Sequence, residues 1–231
     1  MEKLIPNQCY HIFNHANGFE NIFAEDENYG FFLEKYQQYI TPIAETYAYC
    51  LMPNHFHLVV RIRKREQLEE IIQTKNNFVA TNFSKVSFDF GKVAEVDEVG
   101  KVDKGRISDD DIQRFLSKQF SNLFSSYTQS FNVLYKRRGS LFIKNFKREV
   151  ILDKEYFLNA IVYTHRNPIH HGFCTRYTDW SYTSYCEIIE QKNKVVEVVR
   201  LLTIFGAKKF FVEVHQQNLD KFNQISELEA P

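Results

Sequence analysis

Hydrophobic and polar positions first alternate along Cys9–His15, CYHIFNH, which runs into Asn17-Gly18. That period of two predicts a strand closed by a turn, with Tyr10, Ile12 and Asn14 on one face and Cys9, His11 and Phe13 on the other. From Asp26 the period lengthens, and Tyr29, Phe32, Leu33, Tyr36 and Ile40 recur at steps of three and four. This predicts a helix that Asp26 caps and Thr41-Pro42 stops. Glu45–Leu51 and Phe56–Arg63 return to strand character, and the short turn-forming Met52-Pro53-Asn54 makes them a hairpin. Leu68 to about Val79 reads as a short helix. Residues 84–108, with Gly91, Gly100 and Gly105 among valines and charges, read as an extended loop or hairpin insertion. Asp109 is the expected cap of a long helix whose stripe of Ile112, Leu116, Phe120, Leu123, Phe124, Tyr127 and Phe131 makes about five turns of core-facing surface. Arg138-Gly139 turns the chain into a strand over Leu141–Val150, and Asp153 caps a further helix through His165 that Asn167-Pro168 halts.

The order is strand, helix, strand, strand, helix, strand, helix. Its first six elements spell a split βαβ, an α+β fold of the ferredoxin-like kind: an antiparallel sheet with helices on one face. The seventh is an added helix bearing Tyr163. A smaller helical appendage follows from Val195, broken near Gly206. The expected organisation is a main domain over 1–186 and a C-terminal helical extension over 187–231.

Composition changes this picture little until charge is followed along the chain. The 231 residues carry 29 Lys+Arg against 29 Asp+Glu, and aromatics make up 16%. Disordered and collagen-like chains are thereby excluded, and the neutral total argues at first against a nucleic-acid partner. The charge is segregated, however: Ile112–Arg148 holds no acid but contains Arg114, Lys118, Lys136, Arg137, Arg138, Lys144, Lys147 and Arg148. A second basic run, Arg61, Arg63, Lys64 and Arg65, follows the hairpin. Interleaved with Tyr135, Phe142 and Phe146, such residues suit phosphate contact and base stacking, so Arg61, Arg63, Lys136, Arg137, Arg138, Lys144, Lys147 and Arg148 are the candidate DNA-binding set. A solvated basic face is the plainer alternative. Four cysteines without a CxxC pair, and a start lacking the apolar run of a signal peptide, predict a cytoplasmic protein. Val195–Val214 is interrupted by charges and should not enter a membrane.

His55 and His57 flank Phe56 at the start of a strand, so the period of two puts both imidazoles on one face beside a turn, where one metal ion could be shared. Paired surface histidines are the plainer alternative. On the third helix Tyr163 and Asn167 are four apart and share a face with Tyr156 and Ala160. With 13 tyrosines in the chain, composition and spacing leave Tyr163 one of several candidate nucleophiles. A zinc hydrolase using His55, His57 and one of His165, His170 or His171 is a further alternative, without an assignable general base.

Three segments in this order resemble a known family: Leu51-Met52-Pro53-Asn54-His55-Phe56-His57-Leu58-Val59, then Tyr163-Thr164-His165-Arg166-Asn167-Pro168-Ile169-His170-His171-Gly172, then Trp180-Ser181-Tyr182-Thr183-Ser184-Tyr185. With Tyr10–Asn14 and Arg138–Phe142 they look like the single-tyrosine HUH transposases, in particular the REP-associated tyrosine transposases of the insertion-sequence-200-like group. The resemblance spans roughly residues 8–186 and does not cover the 84–108 insertion or the region after Val195. It implies that 1–186 is a catalytic domain in which Tyr163 is the nucleophile and His55, His57 and Asn167 hold a divalent metal, Mg or Mn. It further implies a transposase that nicks and rejoins single-stranded, hairpin-forming DNA through a 5′-phosphotyrosine. Because a phenol ionises near a pKa of about 10, the metal's charge should assist it. Some relatives are dimers and others act singly, so a homodimer stays open. The rival from a different class is a non-catalytic or host-adapted nucleic-acid-binding protein on the same fold.

Overall fold

The computed structural model describes residues 2–83 and 107–228. Strands β1 (Cys9–His15), β2 (Ala44–Met52), β3 (His55–Ile62) and β4 (Lys147–Ile151) form an antiparallel sheet in the order β2-β3-β1-β4. This is the strand order of a split βαβ, with β3 inserted between β1 and β2. Around the sheet lie α1 (Asp26–Tyr39), α2 (Arg65–Phe83), α3 (Asp109–Leu134), α4 (Lys154–His170), α5 (Tyr185–Ile189), α6 (Val198–Phe205) and α7 (Lys208–Leu228).

The two faces of the sheet have different tasks. Tyr10 and Ile12 of β1 and Phe56, Leu58 and Val60 of β3 are buried with Phe32 and Tyr36 of α1 and with the α3 stripe of Ile112, Leu116, Phe120, Leu123 and Tyr127. Rings interlock there, with Phe32 against Phe56 at 5.4 Å and edge-on to Tyr127 at 5.3 Å. At about 1.5–3 kcal/mol for each fully buried large apolar side chain, this layer dominates the cohesion of the domain. Helix α4 packs instead on β2 and β3 from the other side, the face that carries His11, His55 and His57.

Several boundaries move for identifiable reasons. Ser108, not Asp109, caps α3: its hydroxyl accepts from Asp111 N–H at 3.2 Å while the Asp111 carboxylate accepts from Ser108 N–H at 3.1 Å. Glu25, not Asp26, is the N-cap of α1, and Asn28 Oδ1 accepts the backbone N–H groups of Ala24 and Glu25. The strand expected over Leu141–Val150 shortens to Lys147–Ile151 because Asn145 takes a left-handed conformation, φ 67°, which Asn tolerates better than most residues. Upstream of that break, Phe142 only bridges Ala16. Helix α4 does not halt before Asn167-Pro168 but runs to His170. Pro168 forfeits one N–H, yet His171 N–H still reaches Asn167 C=O at 3.0 Å and Ile169 is buried. Helix α6 begins at Val198 rather than Val195 because the preceding residues lie along the edge of β2. There Val196 bridges Thr46, and Glu187 accepts the N–H groups of Lys194, Val195 and Val196 at 2.7–2.9 Å.

Ile188, Val198, Leu201 and Phe211 belong to the same buried cluster as the sheet, so the chain after 187 completes the core around α4. Gly206, φ 96°, makes the corner between α6 and α7 as expected. The expected 84–108 insertion lies outside the described residues except for its last two positions. The four cysteines are unpaired. No helix among the described residues is long and apolar enough to cross a membrane.

Candidate active site

The site begins with register. His15 pairs with His55 and Phe13 with His57 across β1 and β3, so alternate residues of both strands line the α4 side. The His15 and His55 rings stack at 5.5 Å, and Phe13 lies against His57 at 5.6 Å. His11, diagonal to His57, places its Nε2 at 2.9 Å from His57 Nδ1. The turn residue Asn54 has its Oδ1 at 2.7 Å from His55 Nδ1.

Helix α4 supplies the opposite wall. Asp153 caps it by accepting from Tyr156 N–H at 2.7 Å, and the helical period then brings Tyr163 and Asn167 onto the side facing β3. The Tyr163 ring stands edge-on to His57 at 5.6 Å and to His11 at 5.9 Å. Asn167 is buried; its Nδ2 donates to Tyr163 C=O at 3.4 Å, which turns Oδ1 toward His55 Nε2 at 3.5 Å. His55, His57, Tyr163 and Asn167, far apart in sequence, therefore meet in one place.

Exposure and charge narrow the choice among tyrosines. Burial pushes the phenols of Tyr29, Tyr36, Tyr47, Tyr49, Tyr127 and Tyr177 well above their ordinary range. Tyr163, 41% exposed, stands edge-on to the histidines, while Tyr156, 37% exposed on the same cleft, is engaged by Glu149 at 3.1 Å. Burial lowers His55 to about 4 and His57 further, with neighbouring imidazoles adding to the effect at His57. Both are neutral at pH 7, the form in which imidazole ligates a cation.

The donor set fits a divalent cation. In the tautomer whose Nδ1–H donates to Asn54 at 2.7 Å, Nε2 of His55 keeps a lone pair that faces the Asn167 carbonyl oxygen, another acceptor, at 3.5 Å. Two acceptors facing each other are reconciled by a positive charge between or beside them. Two nitrogens and one oxygen suit Mn²⁺ well and Mg²⁺ less so. Among the described residues, no three His, Cys, Asp or Glu side chains form a metal-holding group. Of the third ligands of the hydrolase alternative, His165 turns away from the sheet histidines into the core, bonding His215 and Ser184, whereas the His171 ring lies 5.1 Å from that of His55.

Clefts open on both sides of this cluster. One of about 600 Å³ is lined by Phe13, His15, His55, Lys147, Phe173 and, at the left-handed break, Asn145 among others. A smaller one of about 310 Å³ lies under Tyr163, bounded by His11, Glu149 and Tyr156. A groove of about 790 Å³ runs along α3 past Lys144 and Arg148.

The eight expected DNA-binding residues separate into groups. Lys144, Lys147 and Arg148 border the clefts, and Lys136, Arg137 and Arg138 sit in the turn after α3. Arg137 is engaged by Glu20 and Asn132. Arg61 is paired with Glu45 at 2.6 Å, and Arg63 donates to Thr41 C=O at 2.9 Å. Arg61 lies six strand residues from His55, about 20 Å along β3, remote from the clefts. Sequence reasoning missed His11, His15 and Glu149, and it named His171 only as a possible ligand of the hydrolase alternative. The face assignment of β1 already put His11 beside Phe13, but only the β1–β3 register could deliver it to His57.

No protein-family model matches the chain, and no curated protein matches it in sequence. A solved structure of a REP-associated tyrosine transposase bound to a REP hairpin aligns with 83% of this chain and 84% of that one, at 11% identity and a TM-score of 0.48. At that level no residue role carries over, and the chemistry follows from this chain's own side chains.

Proposed function

We propose that this protein cleaves and rejoins single-stranded DNA, with Tyr163 as the nucleophile, as the resemblance of its motifs implies. The observation that carries this reading is the placement of an exposed tyrosine edge-on to His57 at 5.6 Å, one helical turn before an asparagine whose oxygen faces His55 at 3.5 Å. His55, His57 and Asn167 would hold a divalent ion, which supplies charge to neutralise the non-bridging oxygens of a phosphodiester. Tyr163 attacks phosphorus in line: its oxygen forms the new P–O bond, the bond to the 3′ oxygen breaks, and the phenolic proton leaves so that a 3′-hydroxyl results. The product is a 5′-phosphotyrosine. Because the link keeps the phosphodiester's free energy, attack by another 3′-hydroxyl reverses the step and joins strands without ATP.

The flanking clefts suit a single strand rather than a duplex. Phe13, His15 and Phe173 offer stacking surfaces, and Lys147 and Lys144 offer phosphate contacts. Labelled hairpin DNA with a single-stranded flank, incubated with Mn²⁺ and resolved by denaturing electrophoresis, tests the reading. The wild type should form a protein-linked band, and Tyr163→Phe should lose it while hairpin binding stays nearly intact. An adduct in Tyr163→Phe would remove the nucleophile assignment, and wild-type binding without any adduct would make the protein a binding module on the same fold.

A further inference from the structure

Whether His57 can serve a cation depends on which of its ring nitrogens keeps a lone pair, and the side chains behind it decide that. A neutral imidazole carries one ring proton and one lone pair. Nδ1 of His57 and Nε2 of His11 face each other at 2.9 Å, so a single proton lies between them, and it belongs to one ring or the other. On the far side of His11, Nδ1 faces the Glu149 carboxylate at 3.8 Å. That carboxylate is itself held by the Tyr156 hydroxyl, which donates to it at 3.1 Å.

A carboxylate presents only lone pairs and negative charge. It therefore favours the proton on Nδ1 of His11, which leaves Nε2 of His11 as the acceptor and assigns the shared proton to Nδ1 of His57. Nε2 of His57 is then a lone pair. We propose that Glu149 and His11 are positioning residues that hold His57 in its Nδ1-protonated tautomer, so that its Nε2 is presented to a divalent cation. This rests on the reading of His57 as a cation ligand.

The arrangement is built into the sheet. Glu149 is directly opposite His11 in the β4–β1 pairing, and His11 is diagonal to His57 across β1 and β3, so register alone aligns the three. His11 is buried on the sheet, and the edge that carries Nδ1 faces the cleft it shares with Glu149. At 3.8 Å the carboxylate is beyond a direct hydrogen bond and, being half-exposed, acts on the neutral ring through a solvent-screened attraction between its charge and the N–H dipole. His55 shows the same principle in one step, with Asn54 Oδ1 against its Nδ1 at 2.7 Å. Each imidazole of the pair is thus backed at Nδ1 by an oxygen acceptor, His55 directly and His57 through a second ring.

Long-range nitrogen–proton NMR of the imidazoles in the full, metal-free chain tests the tautomer without any reaction. His11 and His57 should both be protonated at Nδ1, and Glu149→Ala should yield mixed tautomers at both rings. A wild-type His57 protonated at Nε2 overturns the proposal. Calorimetric titration with Mn²⁺ supplies the second readout: Glu149→Ala should weaken binding 10- to 100-fold, with Glu149→Gln in between because its carbonyl still accepts. Glu149 lies on an edge strand with its side chain 55% exposed, so these variants retain the fold. Unchanged affinity in Glu149→Ala, with loss in His57→Ala, overturns the relay alone. Unchanged affinity in His57→Ala overturns the reading of His57 as a ligand.

Discussion

Two histidine pairs in this molecule share one bond length and have opposite uses. His11 and His57 meet at 2.9 Å on the open face of the sheet, and His165 and His215 meet at 2.9 Å behind α4. The second pair is closed at both ends: His215 Nδ1 reaches Phe211 C=O at 2.7 Å and His165 Nε2 reaches Ser184 Oγ at 2.7 Å. All four ring nitrogens are used internally, and the pair ties α7 to α4. In the first pair, Nε2 of His57 has no such partner among the described residues, and the ring borders two clefts. A histidine pair becomes a site when one of its nitrogens is left over and accessible, and a fastener when none is.

Substitution can set the two pairs against each other. His57→Ala should abolish Mn²⁺-dependent cleavage of hairpin DNA while costing less stability than loss of the fully enclosed His215, because its ring borders the clefts; undiminished cleavage would erase the distinction. His215→Ala should do the reverse, lowering the unfolding free energy by about 3 kcal/mol through a lost buried ring and an orphaned His165, with Mn²⁺ affinity retained in the folded protein. A denaturant titration of both variants decides between these patterns. Acid should act through the closed pair as well. Burial lowers His215 to about 4, so between its unfolded value near 6.5 and about 4 the unfolded chain binds a proton that the folded chain refuses. Through that window His215 should therefore contribute a loss of stability of about 1.4 kcal/mol per unit as pH drops, and His215→Ala should make the overall slope shallower by about that amount; an equally steep slope in the variant would contradict it. The smallest effect concerns the open face: Lys147→Ala should weaken single-strand binding modestly and reduce the salt slope by about 0.7, whereas Arg61→Ala, whose guanidinium is committed to Glu45, should leave the slope unchanged.

Much of the fold was legible because its signals are local. Period-two runs placed three strands to within a residue or so, and the α3 stripe marked its helix and its buried side together. The errors arose where one side chain overrode the pattern. Asn145 ended a strand that its neighbours' hydrophobicity would continue, and buried contacts carried α4 through Pro168 despite the missing N–H. At the site, the spacing of His55 and His57 and of Tyr163 and Asn167 was readable as two faces of two elements. That the faces oppose each other was not, since nothing in either segment specifies a contact across a hundred residues.

By itself, then, the chain determined its periodicities, the starts of α1, α3 and α4 to within a residue and the residue types that bear chemistry, because these depend on neighbours within a few positions. Tertiary structure decided which of many tyrosines stands exposed beside the imidazoles, which arginines are spent on internal carboxylates, and which histidine pair is closed. It also recruited His11 and Glu149, whose proximity to His57 exists only through the register of three strands drawn from opposite ends of the domain.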